Sequence, residues 1–140
     1  MKKLGIGIIG SGGIAQACLM PAFAELSDRC RILAIADPNP DNASKAAQKF
    51  EVPHVFSDFH ELLRMQEIDA VCIATPNLFH KHAAVASFEA GKHVFCEKPM
   101  ARNAEEAREM LLAQKKSGKL LQIGFQFRFS GAASFMHRYI

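Results

Sequence analysis

Six short apolar runs alternate along the chain with longer stretches in which polar and apolar residues are mixed. These runs span residues 4–10, 31–37, 54–56, 69–75, 92–97 and 120–125. Most of them are apolar throughout rather than alternating, as expected for parallel strands that are covered on both faces. The pattern therefore predicts an α/β fold, a doubly wound parallel sheet of the Rossmann type, with right-handed crossovers.

Helix start and stop signals fall between these runs. The first helix begins near residue 13, and Pro21 is expected to kink or restart it. Asp41 or Asn42 is expected to cap the helix that follows the second run. The clearest helix begins after Asn103 and ends at Gly118, with acidic residues in its first turn and lysines in its last.

Composition and charge exclude several classes of protein. With 49% hydrophobic and 22% charged residues in 140, the chain is expected to fold as a single globular domain and not to be disordered. A net charge of +3, scattered along the chain, does not favour nucleic acid as a partner. Apolar runs are too short for a membrane span. The four cysteines form no C-x-x-C pair, so we expect reduced thiols in a cytoplasmic protein and no metal site.

A glycine-rich turn follows the first predicted strand. Gly10, Gly12 and Ala15 form the pattern G-x-G-x-x-A, which allows a tight turn and lets a pyrophosphate approach the backbone at the start of a helix. Asp37 ends the second strand, where its carboxylate can accept hydrogen bonds from adenosine ribose hydroxyls and would repel a 2′-phosphate. The pattern predicts a dinucleotide site with NAD preferred over NADP. The alternatives are an S-adenosylmethionine site and, for Asp37, a turn or helix-capping role.

Polar residues also follow the fourth and fifth strands, at the edge of the sheet where ligands of such folds bind. Thr75 and Asn77 could donate hydrogen bonds to a cofactor ribose, although Asn77 could equally cap the next helix. His80 lies one turn into that helix, where a histidine is more often structural than catalytic. Lys98 sits between Glu97 and a proline, and by itself it is as compatible with an exposed turn as with a cleft.

Four segments taken in order, "GIIGSGGIA", "ADP", "ATPNLFHKHAAVASFEAGKHVFCEKPMA" and "GFQFRF", closely resemble the glucose–fructose oxidoreductase/inositol dehydrogenase (Gfo/Idh/MocA) family. The resemblance covers about residues 4–130, and the E-K-P signature after the fifth strand is its most specific part. It implies an NAD(P)-dependent oxidoreductase that acts on a sugar, polyol or inositol.

The resemblance also implies a role for particular residues. Glu97 would hold the nicotinamide ribose, and Lys98 would contact the substrate hydroxyl and assist proton transfer. Gln126 and Arg128 would approach the cofactor or the substrate. The implied cofactor site comprises Gly10, Ser11, Gly12, Gly13, Ile14, Asp37, Thr75, Asn77, His80, Glu97 and Lys98.

Members of this family continue into a second domain that supplies most of the substrate pocket. We therefore expect residues 1–124 to form the dinucleotide-binding domain and residues 125–140 to begin a linker to that second domain. The alternatives are an enzyme completed by another chain and a truncated, non-catalytic dinucleotide-binding module or redox sensor. Apolar side chains near the end, such as Phe129, Phe135 and Tyr139, are expected to be exposed and to favour a homo-oligomer.

Overall fold

The computed structural model describes residues 2–140 and contains the six predicted strands. They are β1 (Leu4–Ile9), β2 (Cys30–Ala36), β3 (His54–Phe56), β4 (Ala70–Ile73), β5 (His93–Cys96) and β6 (Leu121–Ile123). The helices are α1 (Met20–Glu25), α2 (Pro40–Lys49), α3 (Phe59–Leu63), α4 (His80–Glu89), α5 (Ala104–Ser117) and α6 (Gly131–Tyr139). A π-helical segment, Ala15–Leu19, leads into α1, and 3₁₀ turns cover Asn77–Phe79 and Gln126–Phe129.

All six strands are parallel and lie in the order β3-β2-β1-β4-β5-β6. Two apolar cores cover the opposite faces of this sheet, one centred on Ile9, Ile73 and Phe88, the other on Ile8, Ile35 and Cys72. Neighbouring residues of β1 thus point into different cores, which explains why the strands are apolar throughout. The prediction of a doubly wound Rossmann fold is confirmed. Strand order reverses between β1 and β4, and this point positions the candidate site.

The start of α2 corrects one prediction from the sequence. Asn39, and neither Asp41 nor Asn42, is the capping residue: its side chain accepts hydrogen bonds from the N–H groups of Asp41 and Asn42 at 3.0 and 3.3 Å. Pro40 then occupies the first turn, where its missing N–H costs nothing and its fixed φ suits a helix. The helix consequently begins before the residues that were expected to cap it.

Other signals are confirmed. The Asn103 side chain accepts a hydrogen bond from the Glu106 N–H at 2.9 Å, and Gly118 ends α5 in the left-handed conformation. Pro21 lies in the first turn of α1, and the π-helical segment precedes that helix. The backbone stays helical at the junction, at Leu19 and Met20, so the helix does not restart at Pro21. Strand β6 is shorter than predicted, and as an edge strand it pairs with β5 alone.

The last sixteen residues form a 3₁₀ turn and α6, and their aromatic side chains are exposed. Phe129 is 80% exposed, Phe135 62% and Tyr139 76%, which confirms the expected apolar surface. Self-association through this surface stays a prediction. Within residues 2–140, no helix has both the length and the apolar character that crossing a bilayer requires.

Candidate functional site

A cleft of about 570 Å³ opens at the carboxyl ends of the strands, where the strand order reverses. Gly10 and Gly12 from the turn after β1, Asp37 from the end of β2 and Thr75 from the end of β4 all line it. These four were predicted as site residues from the sequence, and the fold brings them together. The remaining walls are largely apolar and include Pro38, Phe59, Pro76, Phe79 and Ala83.

The glycine turn after β1 forms part of the lining of this cleft. Gly10 has a φ of +87°, and a Cβ placed there would lie 2.8 Å from the backbone nitrogen of Thr75, so only glycine fits. A Cβ at Gly12 would meet nothing within 4 Å. Gly13 and Ile14 follow at the start of the helical segment and are exposed. Backbone N–H groups at such a start lack partners within the helix, so the turn presents donors and a positive dipole end to an anion.

Asp37 is buried and its carboxylate accepts three hydrogen bonds. Oδ2 accepts from the Ser11 N–H at 2.7 Å and from the Ser11 hydroxyl at 3.0 Å, and Oδ1 accepts from the Asn39 N–H at 2.8 Å. The predicted alternative, a turn-forming residue, is therefore realised. A carboxylate has about four acceptor positions. Oδ1 consequently retains capacity for a ligand hydroxyl, and the two predicted roles are compatible.

Two buried oxygen atoms near the cleft stand out because they have no hydrogen-bond partner among residues 2–140. They are Thr75 Oγ1, just after β4, and Glu97 Oε1, just after the neighbouring β5. The other carboxylate oxygen of Glu97 accepts a hydrogen bond from the Lys98 N–H at 3.2 Å. Buried polar atoms are normally paired. This arrangement therefore fits a ligand that brings hydrogen-bond donors to the ends of β4 and β5.

Gly124 packs directly against Glu97. A Cβ at Gly124 would lie 3.0 Å from Glu97 Oε1 and 3.2 Å from the Cζ of Phe95. The absence of a side chain at this position thus leaves the room that the Glu97 carboxylate occupies.

Lys98 lies beside a second cavity, of about 350 Å³, at the end of β6. Its side chain is exposed, and Gln126 and Arg128 line the same cavity, so the three polar residues from the E-K-P and G-F-x-x-R-F segments are neighbours. The remaining lining residues are Gly124, Phe125 and Phe127. The lining thus combines two cationic side chains with aromatic rings.

Two buried thiols lie in the strands that lead to the site, Cys72 in β4 and Cys96 at the end of β5. Burial, and next the negative charge of Glu97, raise the pKa of Cys96 to about 12. The same causes raise the pKa of Cys72 further. All four cysteines are free, and only Cys18 is exposed. Among residues 2–140 no group of three or more His, Cys, Asp or Glu side chains is placed to hold a metal ion.

Of two further residues predicted for the site, Asn77 is exposed and His80 is buried. Asn77 is exposed in the 3₁₀ turn before α4 and its side chain caps no helix, so the capping alternative is wrong. His80 is only 1% exposed, and its ring nitrogens lie 2.8 Å from the Pro99 carbonyl oxygen and 2.9 Å from that of Thr75. Its ring therefore contacts backbone, which is the structural role that its position in a helix favoured.

Sequence reasoning missed the aromatic walls of the cleft. Phe59 begins α3 and packs on His60 with ring centroids 4.3 Å apart, and Phe79 ends the 3₁₀ turn before α4. Phe59 comes directly after Ser57 and Asp58, which follow β3, and Phe79 comes two residues after Asn77 in the turn that follows β4. An aromatic residue at that place was the available signal, because the first residues after such strands line the binding edge.

Comparisons with known proteins agree with this architecture. A family model described as "Oxidoreductase family, NAD-binding Rossmann fold" matches residues 4–125. Levoglucosan dehydrogenase of Pseudarthrobacter phenanthrenivorans is 35% identical over 146 residues, which cover 100% of this chain and 37% of the relative. The scyllo-inositol 2-dehydrogenase (NADP(+)) of Bacillus subtilis is 38% identical over 122 residues, covering 87% of this chain and 37% of that protein.

A solved structure of a related dehydrogenase has the same fold over nearly the whole of this chain. The WlbA dehydrogenase of Bordetella pertussis, in complex with NADH and UDP-GlcNAcA, superimposes with a TM-score of 0.91 at 30% identity, over 96% of this chain and 40% of that one. The chain thus spans well under half the length of the relatives that it matches.

Proposed function

Because the chain belongs to the Gfo/Idh/MocA oxidoreductase family, whose NAD-binding Rossmann domain it matches, we propose that it binds NAD for hydride transfer. The second reactant in this proposal is a secondary alcohol of a sugar or polyol, the class of compound named for its dehydrogenase relatives. The single observation that supports it most is the pair of buried, unpartnered oxygens at two adjacent strand ends, Thr75 Oγ1, on a residue that lines the cleft, and Glu97 Oε1.

In this proposal, different residues of the chain bind different parts of the cofactor. The turn at Gly10 and Gly12 takes the pyrophosphate, because the space beside Gly12 is open, with nothing within 4 Å of an added Cβ, and backbone donors lie at the start of the helix. Asp37 takes the adenosine ribose with its remaining acceptor position. Glu97 and Thr75 take the nicotinamide end, where each finds the donor or acceptor that residues 2–140 do not provide.

Two carboxylates support NAD over NADP. Asp37 and Asp58 both line the end of the cleft that the proposal assigns to adenosine, where an NADP 2′-phosphate would bring two further negative charges. The preference is a proposal for this chain, since one of its relatives is named as an NADP(+) enzyme.

Lys98 is the residue that we propose for proton handling. When bound, a nicotinamide ring supplies the carbon that accepts or gives hydride. The Lys98 ammonium lies on an exposed side chain beside the second cavity, where it can donate a hydrogen bond to the substrate oxygen and take part in moving its proton. Gln126 and Arg128, which line the same cavity, would then orient the substrate.

Calorimetric titration with NAD and NADP tests the binding part. We expect NAD to bind, and NADP to bind at least about fivefold more weakly. Thr75→Val should weaken NAD binding by roughly twofold to tenfold and Glu97→Gln by about tenfold or more, as expected for losing a neutral and a charged hydrogen bond. Glu105→Gln, on the exposed first turn of α5, is the matched control. Failure to bind millimolar NAD, or variants that bind as tightly as the wild type, would contradict the proposal.

A dehydrogenase screen over sugars, polyols and inositols tests the chemical part. Lys98→Ala should lower any turnover by about 10²-fold or more, the usual contribution of a proton-transferring group. Lys45→Ala, an exposed lysine of α2, should have no effect. Turnover that survives Lys98→Ala unchanged would rule out the assignment to Lys98.

A further inference from the structure

The imidazole of His80 lies between the segment after β4, which lines the cleft, and the segment after β5, which carries Lys98 beside the second cavity. It is the first residue of α4, and its side chain is buried. One ring nitrogen, Nδ1, lies 2.8 Å from the carbonyl oxygen of Pro99, and the other, Nε2, lies 2.9 Å from that of Thr75. The ring donates to one or both carbonyls according to its protonation. With both nitrogens protonated it hydrogen-bonds to the segment after β5 and to the segment after β4 at the same time, and with one protonated it donates to one segment and contacts the other.

The segment after β5 is held on either side of Lys98. On one side the Glu97 N–H donates to the Ile73 carbonyl at 2.9 Å, which extends the pairing of β5 with β4. On the other side the Pro99 carbonyl contacts the His80 ring. Lys98 itself has an exposed side chain, and within residues 2–140 its one hydrogen bond runs from its backbone N–H to the Glu97 carboxylate. The His80 contact is therefore the first attachment after Lys98 in the chain, before Met100 and Ala101 pack against the core.

The two carbonyls belong to or adjoin residues with a role in the cleft. Thr75 carries one of the buried unpartnered oxygens, and Pro99 directly follows Lys98 and lies two residues beyond Glu97, which carries the other. A rigid, planar ring with nitrogens on opposite sides can hold two such segments at a fixed separation. Rigid support of this kind is what a site needs if its groups are to be placed to within a fraction of an ångström.

We propose that His80 is a positioning residue, which sets Lys98 and Glu97 against the nicotinamide end of the cleft through the two backbone carbonyls and without touching the cofactor. The inference rests on the proposed function, because it assumes that NAD binds in this cleft. It assigns to His80 a different task from direct cofactor contact. It also predicts that the loss of the ring nitrogens affects Lys98 more than it affects the affinity for NAD.

Lysine NMR on the whole chain tests this proposal. The lysines are reductively methylated with ¹³C-formaldehyde, and the Lys98 signal is assigned from its absence in Lys98→Arg. We expect saturating NAD to shift the Lys98 signal in the wild type. His80→Phe keeps a buried ring but removes both nitrogens, and it should lose at least about half of that shift. Its Kd for NAD should rise no more than about tenfold, because the contacts to pyrophosphate and adenosine do not involve His80.

Two further variants serve as a control for His80→Phe and as a test of partial rescue. His82→Phe makes the same exchange at an exposed position two residues later, and its Lys98 signal should respond as in the wild type. His80→Gln retains an amide donor, and it should recover part of the response that His80→Phe loses. A shift that is unchanged in folded His80→Phe, or lost equally in His82→Phe, would overturn the proposal.

A measurement on the wild type keeps the proposal falsifiable if His80→Phe does not fold. At least one His80 ring N–H should be protected from exchange with solvent, and rapid exchange of both positions would refute the bridge. Absence of NAD binding to the wild type would refute the proposed function, and this inference with it. Binding with an unaltered Lys98 response in the variants would refute the inference alone.

Discussion

Gly10 and Gly12 lie two residues apart in one turn, and the structure predicts opposite consequences for changing each of them to alanine. At Gly10, with φ at +87°, an alanine Cβ would lie 2.8 Å from the Thr75 nitrogen and 2.9 Å from the Ala74 carbonyl carbon. Both neighbours are backbone atoms of the adjacent strand end and cannot move aside cheaply. At Gly12 the same Cβ would meet nothing within 4 Å.

The expected magnitudes follow from these two environments. The left-handed conformation costs a non-glycine residue about 1–2 kcal/mol, and overpacking a rigid site adds about 1–3 kcal/mol. Gly10→Ala should therefore lower the free energy of unfolding by roughly 2–5 kcal/mol. Gly12→Ala should change it by less than about 1 kcal/mol, but its methyl group would stand where the pyrophosphate approaches and should weaken NAD binding at least about tenfold.

Urea denaturation and NADH fluorescence titration measure the two effects separately. The urea midpoint of Gly10→Ala should fall by roughly 1–2 M, given the usual dependence of stability on urea concentration. Gly12→Ala should keep the wild-type midpoint and lose affinity. A Gly10→Ala protein as stable as the wild type would refute the close approach of the turn to the end of β4. A Gly12→Ala protein with wild-type affinity would refute the placement of the pyrophosphate.

Three further outcomes are expected. Asp37→Asn removes the charge that opposes a 2′-phosphate, so calorimetry should show the ratio of NADP to NAD affinity rising about fivefold or more; an unchanged ratio would contradict this role. Lys92→Met removes the Nζ donor that lies 2.8 Å from the Met65 and Ile68 carbonyl oxygens and leaves the Met65 carbonyl with the longer bond, 3.4 Å, from the Ile68 N–H, so urea denaturation should show a loss of about 1–3 kcal/mol. The pKa of Cys96 is raised from 9.0 to about 12, so the unfolded thiol loses its proton first. The free energy of unfolding should thus fall as pH rises through this interval, and Cys96→Val should reduce that slope in urea titrations at pH 8 and pH 10.

The sheet and the glycine turn could be predicted from the sequence because each depends on local rules. Parallel strands with two covered faces require continuous apolar runs, and a turn that lies against a neighbouring strand requires glycine. The start of α2 was harder, because Asn39, Asp41 and Asn42 are all good capping residues. Pro40 fits both the first turn of a helix and the residue before a cap, so the sequence leaves the three open, and the structure places Pro40 in the first turn after the Asn39 cap.

The surroundings of His80 could not be predicted in the same way. Its helix carries a second histidine, His82, and nothing in the spacing indicates that one ring is buried and the other exposed. The atoms that His80 contacts are backbone carbonyls, one of them nineteen residues away in the chain. Every residue has such a carbonyl, so only the folded arrangement of the two loops identifies these partners.

The three hydrogen bonds at Asp37 have a consequence for redesigning cofactor choice. The carboxylate that would discriminate against a 2′-phosphate also accepts from the buried Ser11 hydroxyl and N–H, which belong to the glycine turn. An exchange of Asp37 for a small neutral residue would relax selectivity and loosen the turn together. A switch to NADP is therefore expected to require a compensating change at position 11, so that evolution or engineering would have to cross a less stable single mutant first.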